Sequence, residues 1–304
     1  MTSTSQVRLD NKSSLLEIFC YFDIFHYPLT FEELVLLSSK TFNRNDLQEL
    51  IKSGIVCQNQ EYYHLIDSPI CVENRKKGNV RALKLENKAI DNAMFIGQFP
   101  FVRSVSISGS MSKGYLSEDA DIDYFIITEP GRLWVARTLL ILYKKLFLFN
   151  SNKYFCVNYF IDTDNLAIEE KNQFTATEVV TLRNVYGPEV HRQFERANQW
   201  AFSRFPNYET NHLSQPSKSK WFKRLTEKLL FGRLGDQIDI WCLMKTINRW
   251  RSKFGEMEEV DFKIAFKSRR SISKHHPNNF QKKVLEALSQ KKDKLTVKHN
   301  IPFD

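Results

Sequence analysis

Residues 107–128, ISGSMSKGYLSEDADIDYFIIT, constrain this chain more than any other stretch. Three aspartates, Asp119, Asp121 and Asp123, stand within five positions and run into an apolar segment that reads as a buried strand. Like charges on one face of a strand repel and are costly to desolvate, so folding alone gives no reason to keep them. A cation is expected there. On an extended strand alternate side chains share a face, so Asp121 and Asp123 point together while Ile122 and Tyr124 point the other way. Mg²⁺ takes oxygen ligands and keeps waters and substrate phosphates in its shell, which suits an open carboxylate pair. The implied substrate is a metal-bound polyphosphate, with two ions possible.

Upstream, FVRSVSISGS alternates with period two over residues 102–107 and stops at Gly109. Here a missing side chain lets backbone N–H groups approach a phosphate, and the Ser110 hydroxyl can donate to it. Lys113 sits in the loop between the two halves, within reach of a β or γ phosphate. DIDYFIIT is the second strand, RLWVARTLLILYKKLFLF the helix after it, with Arg132 and Arg137 opening it, and YFCVNYFI (154–161) a third strand. The helical segment is broken by Arg137, Lys144 and Lys145 and falls short of a membrane span.

Strand, Gly-Ser, about ten residues, then Asp-x-Asp inside a strand resembles the signature of the nucleotidyltransferase superfamily, the DNA polymerase β-like fold. The resemblance covers roughly residues 102–162. It implies that Gly109 and Ser110 bind a nucleoside triphosphate and that Asp121 and Asp123 ligate Mg²⁺. The superfamily expects a third carboxylate from a later strand; the residue in that position is Asn158, with Asp162 beyond it. An amide can ligate a cation but cannot take a proton. Either Asp162 or Asp119 stands in, or the base is dispensable, or the site binds nucleotide without turning it over. The wider arrangement, with YFDIFHYPLT early and GRLWVAR after the motif, is similar to bacterial nucleotidyltransferase-like proteins that carry an N-terminal winged helix. The implied activity is transfer of a nucleoside monophosphate to an acceptor the sequence does not identify. The alternative is a catalytically silent nucleotide- or nucleic-acid-binding regulator.

The N-terminal residues themselves predict three helices and a hairpin, hence a winged helix. SLLEIFCYFDIF is apolar at helical spacing, TFEEL carries the capping-box spacing Thr30 to Glu33, and NRNDLQELIKSG offers Asn43 or Asn45 as cap and Gly54 as stop. IVCQNQEYYHLI gives two short strands. The candidate recognition segment, 43–53, balances Arg44 and Lys52 against Asp46 and Glu49, which favours packing or protein contact over DNA readout. Residues 73–100 read as a helix with Leu83, Leu85, Ile90, Met94 and Ile96 toward a core.

Beyond residue 165 the chain reads as helical, with Trp221, Trp241 and Trp250 as core residues. The expected fold is α+β, divided into a winged helix (1–72), a nucleotidyltransferase core (73–165) and a basic helical region (166–304). Between residues 218 and 298, 21 Lys and Arg face 9 Asp and Glu, a net +12, against +9 for the whole chain. Such a face can serve nucleic acid or anionic lipid. The five cysteines are scattered and form no CxxC pair, which argues against a disulfide framework and a zinc site and fits a reducing cytoplasm. The first dozen residues lack the apolar region of a secretion signal. His275 and His276, adjacent and followed by proline, lack the geometry of a helical metal pair, and His26 and His64 have no partner that spacing identifies.

Overall fold

The N-terminal apolar run belongs to a helix longer than the sequence pattern suggests, α1 (Ser3–Asp23), which buries Leu15, Leu16, Phe19 and Cys20. The computed structural model describes residues 3–66, 70–213, 221–275 and 279–303. Thr30 ends a two-residue strand, β1 (Leu29–Thr30), and caps α2 (Phe31–Leu37). Its hydroxyl accepts the Glu33 N–H at 3.2 Å, and the Glu33 carboxylate accepts the Thr30 N–H at 2.9 Å, the reciprocal pair expected of TFEEL. Asn43, rather than Asn45, caps α3 (Arg44–Lys52), accepting from the Asn45 and Asp46 N–H groups. A hairpin of β2 (Val56–Asn59) and β3 (Tyr62–Leu65) follows, and β1 pairs with β3 to make a three-stranded antiparallel sheet.

α4 (Ile70–Gly97) presents Ala89, Ala93 and Ile96 to the core, and the two alanines let it lie close to the sheet. Leu85, Ile90 and Met94 are half-buried, but Leu83, expected inside, is 73% exposed because it falls on the outer face. β4 (Val102–Ser108), the one-turn α5 (Gly109–Ser112), β5 (Asp123–Thr128), α6 (Leu133–Phe147) and β6 (Cys156–Asp162) then follow. β5 runs antiparallel to β4 and parallel to β6, with α6 as the crossover.

The remainder comprises α7 (Gln173–Val180), β7 (Arg183–Tyr186), α8 (Pro188–Ala197), α9 (Gln199–Arg204), β8 (Asn211–His212), α10 (Trp221–Leu229), α11 (Arg233–Lys253), α12 (Glu259–Ala265), β9 (Ser268–Arg269), β10 (Ile272–Lys274) and α13 (Phe280–His299). It is therefore not simply helical: four of its segments are strands, and the seven-stranded mixed sheet runs β8-β7-β4-β5-β6-β10-β9. RNVY, read as helix, extends because it pairs antiparallel with β4. The central sheet thus takes strands from both sides of residue 165. The fold is mixed α+β.

Alternation sorts the sheet residues onto two faces. Phe125, Ile127, Ile161 and Ile272 pack with α1, α7 and α13 in one core; Tyr124, Ile126, Val157 and Phe160 pack with α4, α6 and α11 in the other. Trp250 is buried in that second core, 6.2 Å from Trp134 between ring centroids. Trp221 and Trp241, expected in the core, are 74% and 59% exposed, because α10 and the outer face of α11 lie at the surface. No described helix is long and apolar enough to cross a membrane.

Candidate active site

Three neighbouring strands bring the motif together. Ser108 at the end of β4 pairs with Asp123 at the start of β5, and Asp123 pairs on its other side with Cys156 at the start of β6. The chain turns at Gly109 with φ +66°, and a Cβ there would stand 2.8 Å from Asp123 Oδ2, so the Gly-Ser turn lies directly against that carboxylate. The turn is tied from within: Ser112 Oγ donates to the Gly109 carbonyl at 2.8 Å and Lys113 Nζ to the same oxygen at 3.0 Å. From outside, the Tyr27 hydroxyl, within the early HYPLT stretch, donates to the Lys113 carbonyl at 3.0 Å.

Gly109, Ser110, Lys113, Asp123 and Asn158 all line one cavity of about 500 Å³. Asp121, expected on the same strand as Asp123, instead lies just before β5 and is not among the residues lining the cavity; it is half-buried, and its charge acts on Asp123. Burial, together with Asp121 and Glu178, pushes the Asp123 carboxyl up to about 6, while a hydrogen bond with the Cys156 thiol and the charge of Lys113 act in the opposite direction. Cys156 is a buried free thiol in the same cluster. It receives the Asn158 Nδ2–H at 2.8 Å and contacts Asp123, and burial beside these carboxylates drives its own pKa strongly upward.

Neither stand-in considered for the third carboxylate is among the residues that line the cavity. Asp119 is exposed in the loop. Asp162 pairs with Thr128 at the opposite end of β5, four residues and about 13 Å along the strand from Asn158. Nor is it on the same face. Val157 pairs with Tyr124 and Tyr159 with Phe125, so Asn158 is the extra residue of a bulge that reverses the alternation. Arg132 and Arg137 are also spent elsewhere, because α6 crosses the far face of the sheet. Arg132 binds Asp236 at 2.7 Å and the Leu230 carbonyl at 2.8 Å, while Arg137 is buried over the Trp250 ring.

Two features of the cavity escape a reading of the motif alone. Glu178 of α7 lines it and holds Lys113 Nζ at 2.9 Å. It is the lone charge in the apolar run TATEVV, a signal that could have been noticed. The second is an aromatic wall built from distant segments, Tyr21 of α1, Phe25 in the turn after it, Phe174 of α7 and Phe280 of α13, with Phe280 5.9–6.1 Å from Phe174 and Phe25 between centroids. Of the discounted histidines, His64 is buried with Nδ1 2.7 Å from the Leu65 carbonyl, and His275 packs on Trp250; His276 lies outside the described residues. No family model, curated protein or solved structure matches the chain.

Proposed function

We propose that the cavity is the active site of a Mg²⁺-dependent nucleotidyltransferase of the polymerase β-like class, with the N-terminal helices and hairpin forming a winged helix that walls the site rather than reading DNA. The observation that carries this reading is the apposition of the left-handed Gly109 turn and the Asp123 carboxylate in the lining of one cavity. The donor set fits a hard cation: Asp121 and Asp123 supply carboxylate oxygens, Asn158 an amide, and Lys113, which would otherwise offset them, is already paired to Glu178. Bound Mg²⁺ would offset charge on the triphosphate and the leaving pyrophosphate.

The protein's own groups have separable tasks. The Gly109 and Ser110 backbone and hydroxyl receive phosphate oxygens, and Lys113 exchanges Glu178 for a phosphate. Glu178, freed, is placed to accept the proton of the acceptor hydroxyl, the task Asn158 cannot perform. The acceptor oxygen bonds to the α-phosphorus as the bond to the β-phosphate oxygen breaks and pyrophosphate departs. A volume of about 500 Å³ with aromatic walls suits a nucleotide and a small acceptor, and leaves no room for a duplex. A partner nucleic acid would have to use the basic C-terminal surface.

Asn158 and the Lys113–Glu178 pair favour a second reading, a nucleotide-binding regulator without turnover. Incubation with each labelled NTP, Mg²⁺ and a cell extract separates the two. Transfer of label that Glu178→Gln reduces about 10²–10⁴-fold, with binding retained, supports the enzyme. Metal-dependent binding without transfer supports the regulator, and absence of binding overturns both.

A further inference from the structure

Away from the cavity, three metal-ligating side chains converge where α8 meets the sheet-edge strand β8. His191 and Glu195 are one turn apart on α8, and His212 belongs to β8. Their ligand atoms all lie within 4.8 Å of one another. Glu195 Oε1 stands 3.4 Å from His191 Nε2 and 3.5 Å from His212 Nε2. Both spacings are too long for charge-assisted hydrogen bonds, which close to about 2.7–2.9 Å. They match the ligand-to-ligand edge of a tetrahedral site, roughly 3.3–3.4 Å for bonds of about 2.0–2.1 Å.

Two further observations point to an ion. Glu195 Oε1 is buried and has no hydrogen-bond partner, a cost that a cation removes. His191 Nδ1 lies 3.3 Å from Ser106 Oγ on β4, the outer contact that fixes a ligating imidazole with its Nε2 lone pair toward the metal. The two rings meet edge to face at 82°, and His212 is exposed, which gives an ion its way in. Thr210 Oγ1, 3.1 Å from His212 Nε2, partners that nitrogen until a metal takes it.

We propose that His191, Glu195 and His212 form a Zn²⁺ site with an open fourth position, fastening the two-residue strand β8 to α8. The scattered cysteines gave no hint of it because it uses none. Two imidazoles and one carboxylate suit Zn²⁺ better than Mg²⁺, which prefers oxygen.

The test uses the full chain carrying Asp121→Asn and Asp123→Asn, so that the cavity cannot contribute and failure here is separate from failure of the nucleotidyltransferase reading. After chelation, Zn²⁺ is titrated calorimetrically and Co²⁺ is followed by visible absorption. One equivalent of Zn²⁺, a raised melting temperature and tetrahedral Co²⁺ bands are expected. Glu195→Gln and His212→Gln should each weaken Zn²⁺ at least tenfold, and Ser106→Ala about tenfold. His212 is exposed, so its variant keeps the test open should His191→Ala fail to fold. No binding at tens of micromolar Zn²⁺, or binding unchanged in Glu195→Gln/His212→Gln, overturns the site.

Discussion

Gly109 and Asp123 are packed so closely that the glycine's missing side chain is the space the carboxylate occupies: a Cβ on Gly109 would lie 2.8 Å from Asp123 Oδ2. Gly109→Ala must therefore displace the aspartate and hold an alanine at φ +66°, which costs about 1–2 kcal/mol. Metal-dependent nucleotide binding should be lost while the protein remains folded. Calorimetric titration with an NTP and Mg²⁺, alongside thermal melting, checks both halves.

Replacing Asp121 and Asp123 together by asparagine should abolish Mg²⁺-dependent NTP binding without unfolding the protein. At neutral pH the variant should be slightly more stable, since Asp123 is ionised against a burial cost that pushes its pKa up to about 6. Unchanged metal-dependent affinity would remove these residues from the site.

Asn158→Asp adds a carboxylate beside Asp123. Without metal it should lower the melting temperature, both by repulsion and by loss of the Nδ2–H bond to Cys156. Mg²⁺ should restore stability and bind more tightly than to the parent. Cys156 contacts both Asn158 and Asp123, so the control substitution belongs at Tyr159, as Tyr159→Phe. A melting curve that Mg²⁺ leaves unmoved counts against this placement.

Asp239 of α11 caps the N-terminus of α6 from a distance, its Oδ1 accepting the Trp134 and Val135 N–H groups at 2.8 and 2.9 Å. Burial, against those two bonds, raises its pKa to about 6 from the model-peptide value near 4. Between those values the folded protein keeps a proton that the unfolded chain has released, so Asp239's contribution to stability is full below about pH 4 and is lost as pH rises through 6. Asp239→Asn keeps the acceptor and should flatten this part of the profile, a difference of about 2–3 kcal/mol across the interval. Urea midpoints measured from pH 3.5 to 7 decide it.

The basic C-terminal helix is partly committed inward. Lys291 pairs with Asp23 and Lys292 with Glu17 at 2.6 Å, clamping α13 to α1. Lys291→Glu with Lys292→Glu should destabilise the protein by about 1 kcal/mol or more. Lys283, Lys294 and Lys298 are exposed, and reversing them should leave the melting temperature unchanged. Fluorescence anisotropy of a short RNA and a short duplex with that triple variant, at about 50 and 200 mM salt, measures any phosphate binding free of the stability effect.

Local interactions were legible in the sequence because their partners lie within a few residues. The Thr30–Glu33 capping box and a cap at Asn43 or Asn45, of which Asn43 serves, follow from side chains within three or four positions, and the chain reversal at Gly109 follows from the glycine itself. The juxtaposition of Gly109, Lys113 and Asp123 was nearly as legible, since a short loop joins them. Tertiary structure decided the rest. A single bulge at Asn158 turned Asp162 to the other face, and period-two reasoning has no means of foreseeing one extra residue. Strands of two to four residues, β7 to β10, carry too little periodicity to betray a sheet; β7 and β10 extend by pairing with β4 and β6, and β8 and β9 by pairing with β7 and β10. Glu178, the aromatic wall and the His191–Glu195–His212 cluster are assembled from segments far apart along the chain. Their chemistry exists only once the core has closed, because the contacts that define it follow distance in space rather than order in sequence.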